Sequence, residues 1–459
     1  MSMNSVRDIK DSFYRQTFKY LANFSNHISD EKLISSLSPY INAIQYEEGR
    51  DFLKSIILNS KRFFPKCSKP VREKMAVNLF CNLGFLSTKR REDFLKREGF
   101  YPPLLMVISP TMRCNLQCYG CYSGNYSKEN DLPFDVIDRV ITEGKRYGIY
   151  FVVISGGEPF LRDDILDIFE KHPDVYFQVY NNGSMILKKD LPSKLSKLGN
   201  VLPCISVEGF EKETDRRRGK GTFNNILDAM SALKDAGCLY GISVTTTREN
   251  NELVSSEEFV DFWIEKGCFI AWYFSYMPIG RCPSLDLMPT ARQRMERRER
   301  IMEMRKRKPI VLADFWNDGP SVGGCISARV YFHINSNGDV EPCVFSQFAV
   351  DNIKEKTLVE VLKSDFFKAI REKQEGITNR LKPCLIIDNP NVLREVVHSC
   401  NAKATQDGGE ALVTDMAPEL DKYAEEFGKI ADEVWRRDYL SKENIRESIQ
   451  EPQHSVSGN

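Results

Sequence analysis

The chain has 459 residues, 42% hydrophobic and 28% charged, the balance of an ordinary folded protein with room for several structural units. Lys plus Arg and Asp plus Glu both number 64, so the formal charge is zero and there is no global attraction to nucleic acid or an anionic membrane. No apolar run approaches the roughly 20 residues of a membrane span, and the opening MSMNSVRDIKDSF lacks the apolar core of a secretory signal. A cytoplasmic protein without a membrane span is therefore expected. In a reducing compartment its 13 cysteines read as metal ligands, catalytic thiols or packing residues rather than disulfides.

Residues 1–100 carry apolar residues at helical spacing, as in FLKSIILNSKRFF and VREKMAVNLFCNLGFL, and predict a helical N-terminal region. From residue 104 short β-branched or aromatic runs alternate with helical patterns. Strands are predicted at 104–109, 150–155, 175–181, 204–209, 240–247 and 269–277. Helices are predicted near 133–147, 161–171, 190–198, 222–236 and 255–266, with Gly237 and Gly267 where C-caps belong. Strands and helices in strict alternation predict α/β architecture with a parallel sheet, and runs such as YFVVIS fit strands buried on both faces. Six units are too few for an eight-unit closed barrel. A partial (β/α)6 TIM-like barrel over 101–290 is predicted, with its chemistry at the C-terminal ends of the strands.

The charged stretch 291–311, ARQRMERRERIMEMRKRKPIV, reads as a solvated helix linking two units. Glu interrupts the basic residues throughout, which argues against a nucleic-acid surface. A C-terminal domain is assigned to 291–400 on its cysteines. Residues 401–459 read as a helical tail that ends in the polar, fraying QEPQHSVSGN.

SPTMRCNLQCYGCYSG sets Cys114, Cys118 and Cys121 in a C-x3-C-x2-C pattern directly after the first predicted strand. Thiolates are the natural ligands of iron–sulfur clusters, and three of them leave one iron of a cubane open to a substrate or cofactor. Cysteine is 13 of 459 residues, so three at one fixed spacing arise by chance in roughly one such chain in a hundred. Zinc would want a fourth ligand nearby, and no histidine lies in this loop.

On this pattern and its place after the first strand, the chain resembles the radical S-adenosylmethionine (SAM) superfamily. The resemblance implies a 4Fe–4S cluster on Cys114, Cys118 and Cys121, with SAM chelating the open iron through its amino and carboxylate groups. It further implies reductive cleavage of SAM to a 5′-deoxyadenosyl radical that takes a hydrogen atom from the substrate. The hard chemistry is the cofactor's; the protein positions it and excludes water. An electron donor such as flavodoxin or ferredoxin is expected.

Gly156, Gly157, Glu158 and Pro159 form a GGEP turn after the second strand. Glycines allow close backbone approach and a carboxylate can receive an ammonium, so the resemblance assigns this turn to the SAM amino group. The third strand ends in YNNGS, with Asn181 and Asn182 at the expected ligand end. The fourth reads ISVEG and resembles the family's Ser-x-Asp-Gly strand end, with Glu208 in place of the more usual Asp. Ser206, Glu208 and an arginine from Arg216, Arg217 and Arg218 (Arg218 foremost) are further SAM-neighbour candidates. YMPIG closes the sixth strand beside the adenine side or serves as a simple turn.

Cys325 and Cys343 bracket HINSNGDVEPC, in which NSNGD is a hairpin turn, and Cys384 follows in KPCLIIDNP. This segment resembles the SPASM or twitch region of radical SAM enzymes. The full pattern has more cysteines than remain here, so one auxiliary 4Fe–4S cluster is expected on Cys325, Cys343 and Cys384. Its fourth ligand is Cys400, Cys282, another group or none, and zinc is the competing occupant. Cys67, Cys81, Cys204, Cys238 and Cys268 are expected to be packing thiols. The substrate stays open among peptide or protein, small metabolite and lipid, and no winged-helix peptide-recognition unit is legible at the N-terminus. The other classes weighed are an iron–sulfur electron carrier or scaffold without SAM catalysis, and a zinc-binding interaction protein.

Overall fold

The computed structural model describes residues 3–440, with side chains from residue 10; the tail expected at 450–459 lies outside the described residues. Its centre is a nine-stranded sheet in the order β7-β6-β5-β4-β3-β2-β1-β8-β9. The strands are β1 (Leu105–Ile108), β2 (Phe151–Ile154), β3 (Tyr176–Asn181), β4 (Val201–Val207), β5 (Gly241–Thr246), β6 (Ile270–Ser275), β7 (Val311–Asp314), β8 (His333–Ile334) and β9 (Val340–Glu341). Strands β1 to β7 are parallel, β8 pairs parallel with β1, and only β8–β9 is antiparallel. The sheet is open, with β7 and β9 at its edges, and it curls: Trp272 of β6 hydrogen-bonds Gln178 of β3, and the Tyr180 and Phe274 rings meet at 5.5 Å. An α/β partial barrel is thus the fold, as the alternating pattern implied.

Two details depart from that pattern. A seventh parallel strand, VLAD, follows the charged stretch and extends the sheet; its four residues were too short to stand out beside the charges. The β8–β9 hairpin of the cysteine-bearing segment then joins the opposite edge, at Val107 and Ile108 of β1.

The helix Ala291–Arg307 corrects the reading of a solvated linker. Arg294, Arg297, Arg298 and Arg305 are all buried. Arg294 ion-pairs with Asp388 at 2.5 Å, Arg297 with Asp314 at 2.9 Å, Arg298 with Glu48 at 2.6 Å and Arg305 with Asp318 at 2.7 Å. These arginines share the inner face with Ile301 and Met304, so the helix buries a stripe that mixes charge with apolar residues.

The N-terminal region is built of helices joined by short turns, including Met3–Phe24, Glu47–Phe63, Lys69–Met75 and Ser87–Glu98. It closes the underside of the sheet. Phe52, Ile56, Phe63, Leu79 and Phe80 pack with Tyr176, Leu202, Cys204, Ile270 and Val311 of the strands. Cys67, Cys81, Cys204, Cys238 and Cys268 are buried, as expected of packing thiols.

Candidate active site

The loop after β1 carries Cys114, Cys118 and Cys121 in irregular backbone, so neighbouring elements must hold it. The GGEP turn grips one side. Gly157 N–H donates to Thr111 O and Glu158 N–H to Arg113 O, both at 2.9 Å. A Cβ on Gly157 would stand 2.2 Å from Arg113 O, and one on Gly156, whose φ is +104°, 2.5 Å from Thr111 O. The glycines therefore permit contact with the cysteine loop, where the sequence suggested contact with a ligand.

The other side is held from the ends of β4 and β6. Arg217 donates to Tyr119 O and Gly120 O, both at 3.1 Å. Arg281 N–H donates to Cys121 O at 3.0 Å and its guanidinium to Cys118 O at 3.3 Å. The YMPIG segment is thus more than a turn: it braces the cysteine loop, and Gly280 lies so close that a Cβ would meet Cys121 O at 2.1 Å.

Cys114 is exposed, and Cys118 and Cys121 are half-buried. Cys114 Sγ accepts from Leu116 N–H at 3.5 Å and from Asn182 Nδ2 at 3.8 Å, and Ser123 Oγ sits 3.3 Å from Cys121 Sγ. Burial raises the Cys118 thiol, while Arg218 and Arg217 favour its thiolate.

Glu158 is wholly buried. Its carboxylate accepts Phe160 N–H at 3.1 Å and Asn182 N–H at 2.7 Å, which ties the end of β2 to the end of β3. Burial raises its pKa to about 7. Asn182 donates to Asn115 Oδ1 at 3.0 Å, and Ser206 shares a 3.1 Å contact with Ser243. Glu208 Oε1 accepts from Arg218 at 2.9 and 2.5 Å and pairs with Arg217 at 2.7 Å. Its other oxygen, Oε2, is buried without a partner. An unpaired carboxylate oxygen in this position is costly unless a ligand donor meets it.

Sequence reasoning passed over three contributors. Tyr122 follows Cys121 directly; its hydroxyl lies 2.5 Å from Ser155 Oγ and accepts Gly156 N–H at 3.1 Å. Arg281 and His333 were also missed. Only Tyr122, inside CYGCYSG, carried a local signal.

The second cysteine set converges too. Cys325, Cys343 and Cys384 are half-buried, and the thiols are one another's electrostatic neighbours. Burial pushes Cys384 up to about 12 and Cys325 higher still, so as free thiols they stay protonated; binding a metal cluster would reverse that. Phe345 N–H donates to Cys343 Sγ and Ile386 N–H to Cys384 Sγ, both at 3.4 Å. The same pattern, an N–H two residues on, serves Cys114. Such donors stabilise thiolate sulfur in iron–sulfur sites. Tyr331 adds a hydroxyl at 2.7 Å from Cys343 Sγ. Cys282 is exposed and follows Arg281, on the side of the first cysteine loop. Cys400 follows the helix Pro390–Ser399, its sulfur 3.8 Å from Ser399 Oγ.

Among the described residues no three His, Cys, Asp or Glu side chains are grouped so as to hold a single metal ion. Two all-cysteine donor sets, each with N–H or O–H donors aimed at sulfur, fit iron–sulfur clusters by the chemistry of their ligands. No described helix is long and apolar enough to cross a membrane.

Comparison with known proteins agrees. Residues 108–259 match the model of the radical SAM superfamily, and residues 325–385 that of the SPASM iron–sulfur cluster-binding domain. The AdoMet-dependent heme synthase of Methanosarcina barkeri is 25% identical over 317 residues, covering 61% of this chain and 90% of the relative. The mycofactocin maturase MftC of Mycolicibacterium smegmatis is 28% identical over 300 residues, covering 61% and 75%. The structure of Streptococcus suis SuiB bound to SAM superposes with a TM-score of 0.53 at 22% identity, over 60% of this chain and 69% of that one; SuiB is also known bound to its precursor peptide SuiA. The chain thus carries a radical SAM domain followed by a SPASM domain, those of a radical SAM enzyme whose cofactors are SAM, a SAM-binding 4Fe–4S cluster and auxiliary iron–sulfur.

Proposed function

We propose that this enzyme removes a hydrogen atom from a C–H bond of a peptide substrate at the C-terminal ends of β1 to β6. One observation carries the reading: the cysteine loop, the GGEP turn and the Glu208–Arg218 pair are braced together at one end of one sheet. Cys114, Cys118 and Cys121 hold the SAM-binding cluster, and Cys325, Cys343 and Cys384 hold one auxiliary cluster. When bound, the cluster and SAM supply the electron and the carbon radical that the chemistry needs.

The chain's own groups position and shield. Glu158 is a positioning residue, since both its oxygens are engaged by backbone N–H groups. The Gly156–Gly157–Glu158–Pro159 backbone is left to receive the SAM ammonium, with Asn182 beside it. Ser206 and Glu208 Oε2 face the sugar hydroxyls, and Arg218 fixes the carboxylate that does so. A peptide is favoured over a metabolite or lipid because MftC is a maturase and SuiB binds a precursor peptide. The N-terminal helices pack beneath the barrel, so peptide recognition falls to the open end. The four-part division at 1–100, 101–290, 291–400 and 401–459 serves as a working description, with the helix and strand of 291–314 contributed to the core sheet. A reducing cytoplasm, with flavodoxin or ferredoxin as electron donor, suits exposed cluster thiols.

Anaerobically reconstituted protein given SAM and dithionite should release 5′-deoxyadenosine, with deuterium transferred from a labelled peptide encoded near the gene. Intact clusters without 5′-deoxyadenosine release would instead leave an electron carrier or scaffold.

A further inference from the structure

The inward face of β1 to β7 carries no charge; the nearest acid, Glu341 of β9, lies beside His333 in register with Val107 and is taken up by His333, Tyr126, Asn335 and Thr405. The register places Val107, Val153 and Gln178 in one row and Ser206, Ser243, Trp272 and Ala313 in another, and the described inward positions of β1 to β7 below Glu208 hold no Asp, Glu, Lys, Arg or His. Charge begins at the rim, with Glu208 and its arginines.

The polar tips of Gln178, Trp272, Ser206 and Ser243 are already engaged, while the Tyr176 hydroxyl, deeper against the N-terminal helices, is buried without a hydrogen-bond partner. Trp272 Nε1 donates to Gln178 Oε1 at 3.2 Å, Gln178 Nε2 donates to Tyr180 Oη at 2.7 Å, and Ser206 and Ser243 pair at 3.1 Å. Above the N-terminal helices, Tyr180, Trp272, Phe274 and Phe315 stay half-buried although they point into the barrel. Their rings meet one another, Tyr180 with Phe274 at 5.5 Å and 86° and Phe274 with Phe315 at 5.4 Å. The series continues through Phe315 to Tyr331, whose hydroxyl touches Cys343 Sγ. An aromatic floor therefore runs from beneath the SAM side to the auxiliary cysteines.

We infer that the substrate residue undergoing reaction is an uncharged aromatic side chain, seated on Tyr180, Phe274 and Phe315 between the two cysteine sites. This rests on the function proposed above and names its substrate class. A charged side chain would lose its hydration here without a partner, because β1 to β7 offer no counter-charge and Glu341 is already met by four donors. A planar ring has no charge to desolvate and at most one N–H or O–H to withdraw from water, and it continues the tilted ring-to-ring pattern already present.

The test uses the reconstituted holoenzyme with SAM and two neutral-ended probes, N-acetyltryptophanamide and N-acetyllysinamide, with binding read by saturation-transfer NMR. The tryptophan probe should bind at least about tenfold more tightly than the lysine probe. The double variant Phe274→Leu and Phe315→Leu, at wild-type iron content, should weaken the tryptophan probe several-fold. Equal or tighter binding of the lysine probe overturns the inference, as does failure of both probes or indifference to the double variant. The comparison of probes on the wild-type protein stands even if the variant misfolds. Wild-type protein that releases 5′-deoxyadenosine yet fails this binding test loses the inference alone; wild-type protein that releases none loses the proposed function.

Discussion

His333 of the auxiliary hairpin sits against Ser109 at the end of β1, Nε2 to Oγ at 2.7 Å, across 224 residues of chain. Its Nδ1 lies 2.6 Å from Glu341 Oε2. The Glu341 carboxylate accepts the Nδ1 proton, and Nε2 shares a hydrogen bond with the Ser109 hydroxyl. Glu341 Oε1 takes three more donors: Tyr126 at 2.7 Å, Asn335 at 3.0 Å and Thr405 at 2.6 Å. One carboxylate thus joins the SPASM hairpin to both flanks of the first cysteine loop and to the C-terminal segment. Glu341→Ala would strand all these donors and should cost about 3–5 kcal/mol, with Glu341→Gln milder. Denaturant unfolding of both variants measures it, and equal stability of Glu341→Ala and wild type would refute the account.

The buried arginines make a sharper contrast. Arg297 reaches Asp314 at 2.9 Å, Thr246 at 2.7 Å, Asn251 at 2.9 Å and Ser275 at 2.9 Å with no exposure of its side chain. Arg297→Leu leaves Asp314 buried and unpaired, so a loss of about 3–5 kcal/mol is expected. Arg292→Leu on the same helix, at an 85% exposed side chain, should stay within about 0.5 kcal/mol. Similar losses for the two would show that the helix face has been misread.

These two sites mark how far the sequence could be read. The cysteine loop and GGEP turn were legible because their chemistry depends on local spacing, and the strands because YFVVIS-like runs suit only a covered sheet. Arg297 was not, since its acid, Asp314, lies on another element and composition alone made that helix look solvated. The roles within the motif were only half visible. Glu158 is in the predicted place, but its oxygens hold Phe160 and Asn182, and the glycines make room for Arg113 and Thr111. Spacing names a motif's members; which atoms remain free for a ligand depends on backbone contacts that only folding creates.

Iron content separates the two cysteine sets. Cys118→Ala and Cys343→Ala should each lose about four iron atoms per chain after anaerobic reconstitution. Only Cys118→Ala should also abolish 5′-deoxyadenosine release by removing the SAM-binding cluster outright. Full iron in Cys343→Ala would dismiss the auxiliary site.

His172 sets a pH dependence away from both clusters. It is 2% exposed, and Asp138 Oδ1 lies 3.1 Å from Nε2 without the alignment of a hydrogen bond. Burial, then Lys145, lowers its pKa below the ordinary 6.5. The unfolded chain therefore binds this proton more readily, and stability falls as pH drops below about 6.5. His172→Gln should flatten the decline in melting temperature between about pH 6.5 and 5. An unchanged slope would place the acid sensitivity elsewhere.

Tyr331 tests whether the auxiliary sulfur is tuned. Its hydroxyl, 2.7 Å from Cys343 Sγ, is a hydrogen-bond donor because burial and that cysteine raise its pKa well above the ordinary tyrosine value. A donor on a cluster thiolate stabilises the added electron of the reduced state, so its removal disfavours reduction. Tyr331→Phe keeps the ring against Phe315 and deletes only the donor. The auxiliary cluster should then titrate at a more negative potential in an EPR-monitored redox titration, while the SAM-binding cluster keeps its midpoint. A common shift of both clusters would point to a general structural change, and no shift at all would mean that the hydroxyl does not act on the sulfur.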